Sequence, residues 1–266
     1  MSKKTNEDSG PRYSAPALEK GLDILELLTD SHDGFTLNEI ARQLNRTVNE
    51  LFRMVITLER RGWVVVDEND RYSLSLRMFE LAYKHLPLRS LVSAATPLMR
   101  RLVVKSRQSC HLTVMQAGRV VVIAQVDGPE RWSFGLKVGA IIGLHDTASG
   151  HVLLAFRENH EREQILNLHA DVEGESLIDN SQLMSILDEI KACGYAQTQS
   201  QQVKGITNIA YPIFGADQEI IACLNVPYIE RVDKKIIPSI AEARKIVSDY
   251  AEELSILMGN SSYLFN

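Results

Sequence analysis

Within fifteen residues the sequence carries the same helix-opening signature twice, TLNE at 36–39 and TVNE at 47–50. In each, a hydroxyl and a carboxylate three positions apart can satisfy orphan amides at a helix start. Leu37, Ile40, Ala41 and Leu44 then recur at helical spacing after the first signature, and Val48, Leu51, Val55 and Leu58 after the second. Only Asn45 and Arg46 lie between the two segments, and Asn tolerates the left-handed backbone that a tight turn requires. Upstream, ALEKGLDILELL places Leu18, Leu22, Leu25 and Leu28 on one stripe of a helix ending near Thr29. Three helices so arranged form a helix-turn-helix from Leu37 to about Ile56. After Gly62, the segment WVVV, the polar turn DEND and RYSL read as a hairpin with Trp63, Val65, Tyr72 and Leu74 inward, which makes a wing.

On the third helix the buried stripe leaves Asn49, Arg53, Ile56 and Arg60 facing outward, with Glu50 and Thr57 at its flanks. Arg donates bidentately to guanine and Asn to adenine, so Arg53 and Asn49 are candidate base readers. Arg46 and Thr47, at the amino end of this helix, suit phosphates. Thr36, opening the second helix, and Arg71, on the wing, complete the DNA-facing candidates, although a solvated surface charge explains Arg71 equally well. Residues 17–78 hold eight Lys and Arg against eleven Asp and Glu, which is unusual for a DNA-binding module. Residues 42–61 instead carry five Arg against two Glu, so the positive charge gathers on the segment proposed to meet DNA. The alternative is a winged helix that serves protein contacts alone.

Net charge of -5 over 266 residues excludes indiscriminate polyanion binding, so any nucleic-acid contact is local. The length predicts two domains. The longest run without a charged residue is Leu254 to Asn266, too short to cross a bilayer, and residues 1–16 lack the apolar core of a secretory signal. A cytoplasmic protein with no membrane contact is expected. Cys110, Cys193 and Cys223 form no CxxC pair, so neither a disulfide framework nor a thiolate zinc site is indicated.

Ser75 to His85 continues as an amphipathic linker helix with Leu76, Phe79 and Tyr83 on one face. Pro87 breaks it before a helix carrying Leu91, Ala95, Leu98 and Leu102. HLTVMQ, AGR and VVVIAQV read as one β-hairpin, and IAYPIF, GADQ and EIIACLNV as another. Helical patterns cover about 148–157, 160–169, 181–193 and 234–257. Strands mixed with flanking helices give an α+β sensor domain. The expected organisation is a tail over 1–15, a winged helix-turn-helix over 16–75, a linker helix over 76–90, an effector-binding domain over 91–258 and a tail over 259–266. Cys110 with His111, and His145, Asp146 and His151, invite a catalytic or metal reading. Adjacent strand residues face opposite ways, however, and HDxxxxH fits no familiar zinc spacing. No catalytic residue, metal or cofactor is expected. The alternative class is a sensor-domain enzyme whose winged helix serves only assembly.

ALEKGLDILELL, LERRGWV, DRYSLSLRMFELA, GLHDTASGHVLLAF, IKACGYA and GITNIAYPIFGADQEIIACLNV, in this order, resemble the isocitrate lyase regulator (IclR) family of bacterial transcription factors across residues 17 to about 255. The resemblance implies an amino-terminal winged helix, a linker helix, a GAF-like effector-binding domain and function as a homodimer or homotetramer. It also implies a palindromic operator in double-stranded DNA, regulation of a nearby catabolic operon and a small-molecule effector. Carried over by position, the effector residues are Ala148, Ser149, Thr198, Asn208 and Asn225. The helix start after Thr147 can hold a carboxylate, so a small organic acid fits without an Arg. Trp132 and Phe134 are candidates for an aromatic wall. Two departures fall in this half: His151 stands where the family has Lys, and QTQSQQ replaces its acidic residues after GYA. In the recognition helix VNE replaces the frequent KST, while Arg53 is kept.

Overall fold

The structure is a computed structural model and describes residues 14–233 and 236–260, without the side chain of Tyr83. Most of both expected tails, Lys234 at the expected start of the last helix, and the Tyr83 side chain lie outside the described residues. The chain forms two compact units, one through Leu86 and one from Pro87.

In the first unit α1 (Pro16–Leu28), α2 (Leu37–Gln43) and α3 (Val48–Arg60) surround one core, joined by β1 (Phe35–Thr36), β2 (Val64–Val66) and β3 (Arg71–Leu74) in the sheet order β1-β3-β2. Ile24, Ile40, Leu51 and Val55 are fully buried there. Asn45 adopts φ 51°, as a two-residue helix connection demands. Two orientations differ from expectation. On α1 the buried arc is Gly21, Ile24, Leu25 and Leu28, while Leu18 and Leu22 are 63% and 49% exposed. The apolar run is dense enough to support two phasings, and packing on α2 and α3 selects the one centred on Ile24. In the wing Val64 is buried and Val65 exposed, because Val64 pairs with Leu74 and Val66 with Tyr72 while Val65 stands beside Ser73. Trp63 precedes the strand and packs against the core as expected, while its amide closes α3 by donating to the Leu58 carbonyl at 2.8 Å. The unit ends with α4 (Arg77–Lys84), on which Phe79 is 66% exposed; Leu76, which caps it, is 76% exposed.

The second unit is a three-layer α/β/α sandwich. Its antiparallel sheet comprises β4 (Cys110–Gln116), β5 (Arg119–Val126), β6 (Ile141–Ile142), β7 (Ala196–Gln199), β8 (Ile206–Phe214) and β9 (Ile220–Ile229), in the order β6-β5-β4-β9-β8-β7. One face packs on α5 (Leu86–Ser106) and α9 (Ile240–Leu257), burying Leu98, Leu102, Val247 and Leu254. The other face packs on α6 (Ala148–Ala155) and α8 (Asn180–Cys193), with α7 (Asn159–Leu168) between them in sequence. Every residue of α6 is buried, the polar Ser149 and His151 included. The β4–β5 turn is the two-residue Ala117-Gly118, both at positive φ, which matches the twist of a hairpin. A side chain at Gly118 would meet the Leu168 carbonyl carbon at 2.6 Å, so this turn lies directly against the end of α7. The short strands β1, β6 and β7 carry no alternation long enough to read, and β7 is a polar edge.

Candidate DNA-reading surface and effector cavity

The outward face of α3 follows its helical phase. Asn49, Arg53, Thr57 and Arg60 are exposed. So are Phe52 and Ile56, at 51% and 38%. Arg53 makes no ion pair among the described residues. Phe52 was missed in the sequence because an aromatic residue beside Leu51 reads as core. The flanking candidates are engaged within the unit. Glu50 accepts hydrogen bonds from the Thr47 amide and hydroxyl, both at 2.9 Å, and pairs with Lys20 at 3.2 Å. These Thr47 bonds, with Lys20, pull its carboxyl down to about 2. Thr36 and Glu39 cap α2 reciprocally. Arg71 donates to the Asp33 and Gly34 carbonyls at 3.0 and 2.8 Å and meets Glu39 at 3.2 Å, which clamps the wing to the start of α2. Arg46 lies 3.6 Å from Asp23, and the Thr57 hydroxyl donates to the Arg53 carbonyl.

In the second unit, strand register gathers polar side chains on the face covered by α6. His111 of β4 stands opposite Asn225 of β9, and Thr198 of β7 opposite Asn208 of β8. A small cavity of about 40 Å³ is lined by His111, Phe134, Asp146, Thr147, Ala148, Asn208 and Asn225, among others. A larger cavity of about 420 Å³ adjoins it at Asp146 and is lined by His145, His151 and Thr198. Residues 197–203, from the polar QTQSQQ segment onward, edge both. Asn225 Nδ2 donates to the Ser149 hydroxyl at 3.1 Å. Among the described residues, both ring nitrogens of His111, Asp146 Oδ1 and Asn225 Oδ1 are buried without a hydrogen-bond partner. Such groups ordinarily find partners, so their concentration around one cavity marks a site for a polar ligand. Burial pushes His111 down to about 4, so it is neutral at pH 7. Cys110 faces the opposite layer, among α5 and α9, where burial raises its thiol well above the usual range.

Of the seven effector candidates, Phe134, Ala148, Asn208 and Asn225 line the small cavity, Ser149 holds Asn225 and Thr198 lines the larger one. Trp132 lies elsewhere: the Arg231 guanidinium sits 5.4 Å from its ring centre. His111 and Asp146, weighed in the sequence only for catalysis or metal binding, were not counted there among the effector residues. A histidine inside an apolar strand was the available signal.

Beside the larger cavity, Glu175 Oε1 accepts from the Leu144 and His145 amides at 2.6 and 2.7 Å, and its Oε2 lies 2.7 Å from His169 Nε2. His169 Nδ1 lies 2.7 Å from the Gly118 carbonyl oxygen. Burial opposes charge on both side chains, yet the hydrogen bonds outweigh it, raising His169 and lowering Glu175.

Residues 17–68 match the IclR helix-turn-helix domain, and residues 83–256 match the C-terminal domain of bacterial transcriptional regulator IclR. The chain is 30% identical over 263 residues to the HTH-type transcriptional regulator BhcR of Paracoccus denitrificans (strain Pd 1222), covering 95% of this chain and 89% of that protein. It is 26% identical over 257 residues to the HTH-type transcriptional regulator KdgR of Escherichia coli (strain K12), covering 95% and 96% respectively. Among solved structures, Thermotoga maritima IclR superposes with a TM-score of 0.70 at 23% identity, over 91% of this chain and 98% of that one. An IclR homologue from Microbacterium hydrocarbonoxydans, complexed with 4-hydroxybenzoate, gives 0.75 at 21% identity over the same shares. These two likenesses bear on the fold: an amino-terminal helix-turn-helix unit followed by an α+β unit with a curled sheet. Matched in both units and in the same chain order, the protein belongs to the IclR family of ligand-responsive, DNA-binding transcriptional regulators.

Proposed function

We propose that a homodimer of this chain, acting in the cytoplasm, binds a near-palindromic operator and is switched by a small organic acid held between β4, β9 and α6. The observation that carries the reading is the set of unpartnered groups on His111, Asp146 and Asn225 around one cavity. The amides at the start of α6 suit a carboxylate. Asp146 Oδ1 and Asn225 Oδ1 are acceptors and call for a hydroxyl or another donor on the same ligand. The 4-hydroxybenzoate of the Microbacterium homologue is an acid of this general kind. In the DNA unit, Arg53 and Asn49 read base edges, Phe52 is placed for a thymine methyl, and Thr47 and Arg46 meet phosphates. Leu18, Leu22 and Leu76 are apolar and exposed in the single chain, and a second copy would cover them. Regulation of a neighbouring catabolic operon follows from the resemblance.

The test is titration of DNA upstream of the chain's own and neighbouring genes, with and without a panel of hydroxylated and plain carboxylic acids, at several salt concentrations. A palindromic footprint, a steep salt dependence and an affinity shift with a hydroxy acid are expected. A footprint on a single half-site, or no acid that shifts affinity, would overturn the reading.

A further inference from the structure

His145, His169 and Glu175 each offer a ligand atom, and these atoms all lie within 4.8 Å of one another. They come from three segments: the approach to α6, the residue capping α7 and the loop after it. His169 and Glu175 are each oriented by backbone groups. The Gly118 carbonyl can only accept, so His169 Nδ1 carries the hydrogen and Nε2 turns towards Glu175. A ligating histidine is normally fixed in this way, through its other nitrogen on a backbone carbonyl. Two backbone amides hold Glu175 Oε1, which aims Oε2 at the histidine. His145 Nδ1 is buried and has no hydrogen-bond partner among the described residues. The side chains of His169 and Glu175 are 5% and 2% exposed, whereas His145 lines the larger cavity.

An imidazole lone pair facing a carboxylate oxygen at 2.7 Å needs a positive charge between them, either a proton or a cation. We propose that His145 Nδ1, His169 Nε2 and Glu175 Oε2 bind a divalent transition cation of the zinc class, tying the Gly118 turn and the 169–175 loop to the start of α6. Two histidines and a carboxylate are an established donor set for such ions, with metal–ligand distances of about 2.0 to 2.2 Å. A tetrahedral array at those distances separates donor atoms by about 3.3 Å. The His169–Glu175 hydrogen bond therefore opens slightly on loading while His145 swings inward. Three protein ligands leave a fourth position on the side of His145, which borders the larger cavity. Although His145 adjoins Asp146 along the larger cavity, none of the three ligands is among the groups that carry the effector reading, so either reading can fail alone.

The test uses the full chain without an affinity tag, stripped by chelator and titrated with Zn²⁺ at pH 8, where protons compete least. One tightly bound equivalent per chain is expected, with a rise in melting temperature. Co²⁺ in its place should give the intense visible bands of a four-coordinate site. His145→Ala should weaken Zn²⁺ binding at least tenfold while lowering the melting temperature of the stripped protein only slightly, because His145 Nδ1 has no hydrogen-bond partner among the described residues and only a ring contact with His169 is lost. His169→Ala should do the same to binding. A Cys193→Ser control, which removes the exposed thiol, should bind like wild type. Absence of stoichiometric binding, a six-coordinate cobalt spectrum, or wild-type affinity in His145→Ala would overturn the proposal.

Discussion

His111 and Asn225 stand directly opposite each other on β4 and β9, each 3% exposed, and among the described residues only the Asn225 side chain has a hydrogen-bond partner, the Ser149 hydroxyl of α6. Two adjacent central strands thus present an unpaired imidazole and an unpaired amide oxygen to the same small cavity. Leaving such groups without partners costs about 1 to 3 kcal/mol each, which a matching ligand recovers on binding.

Replacing His111 by Leu should therefore abolish the effector response without unfolding the protein. The wild-type imidazole is held down at about 4, against an ordinary value of 6.5, so the unfolded chain takes up a proton that the folded chain refuses. Stability from this group is complete above about pH 6.5 and declines by up to about 3 kcal/mol as the pH falls towards 4. Denaturant melts at pH 7 and pH 4.5 should show a smaller acid loss in His111→Leu than in wild type. Equal losses would show that His111 titrates freely.

Asn225→Ala and Asn208→Ala should weaken the response to an effector acid while sparing operator binding in its absence. Operator titrations with and without the acid measure this. Linkage also requires operator DNA to change effector affinity by the same factor.

Arg53 is exposed on α3, and its substitution by Ala should cost about 1 to 3 kcal/mol of operator binding with the melting temperature nearly unchanged. The loss should be concentrated at one base position of each half-site. A uniform loss across sequences would reassign Arg53 to a phosphate.

Glu50 is held at about 2 by Thr47 and Lys20. Its folded value is depressed, so its contribution is present above about pH 4.5 and is lost as the pH falls towards 2. Thermal melts of wild type and Glu50→Gln should differ at pH 6 and converge near pH 2.

Leu18→Glu with Leu22→Glu should break the proposed dimer, giving a monomer in sedimentation and weaker operator binding. Both side chains are exposed in the single chain, so its fold should survive.

The helix-turn-helix was legible because it is written in local chemistry. Thr36 with Glu39 and Thr47 with Glu50 interact three residues apart, and Asn45 turns the chain by itself. The β4–β5 and β8–β9 hairpins were legible for the same reason, since each pairs neighbours in sequence. Periodicity could not choose between Leu22 and Ile24 on α1 or settle the phase of Val65, because both depend on which surface the rest of the core presents. The edge strand β7 is polar and has no apolar pattern of its own; it exists through its pairing with β8. The sites lie furthest from local signals. Asn225 meets Ser149 across 76 positions, and His169 meets Gly118 across 51, so no spacing rule connects them. Sequence alone determined which segments form helices and hairpins, because capping and turn geometry act over a few residues. Tertiary structure decided which polar side chains are buried together, because that follows from strand order and helix packing over the whole unit.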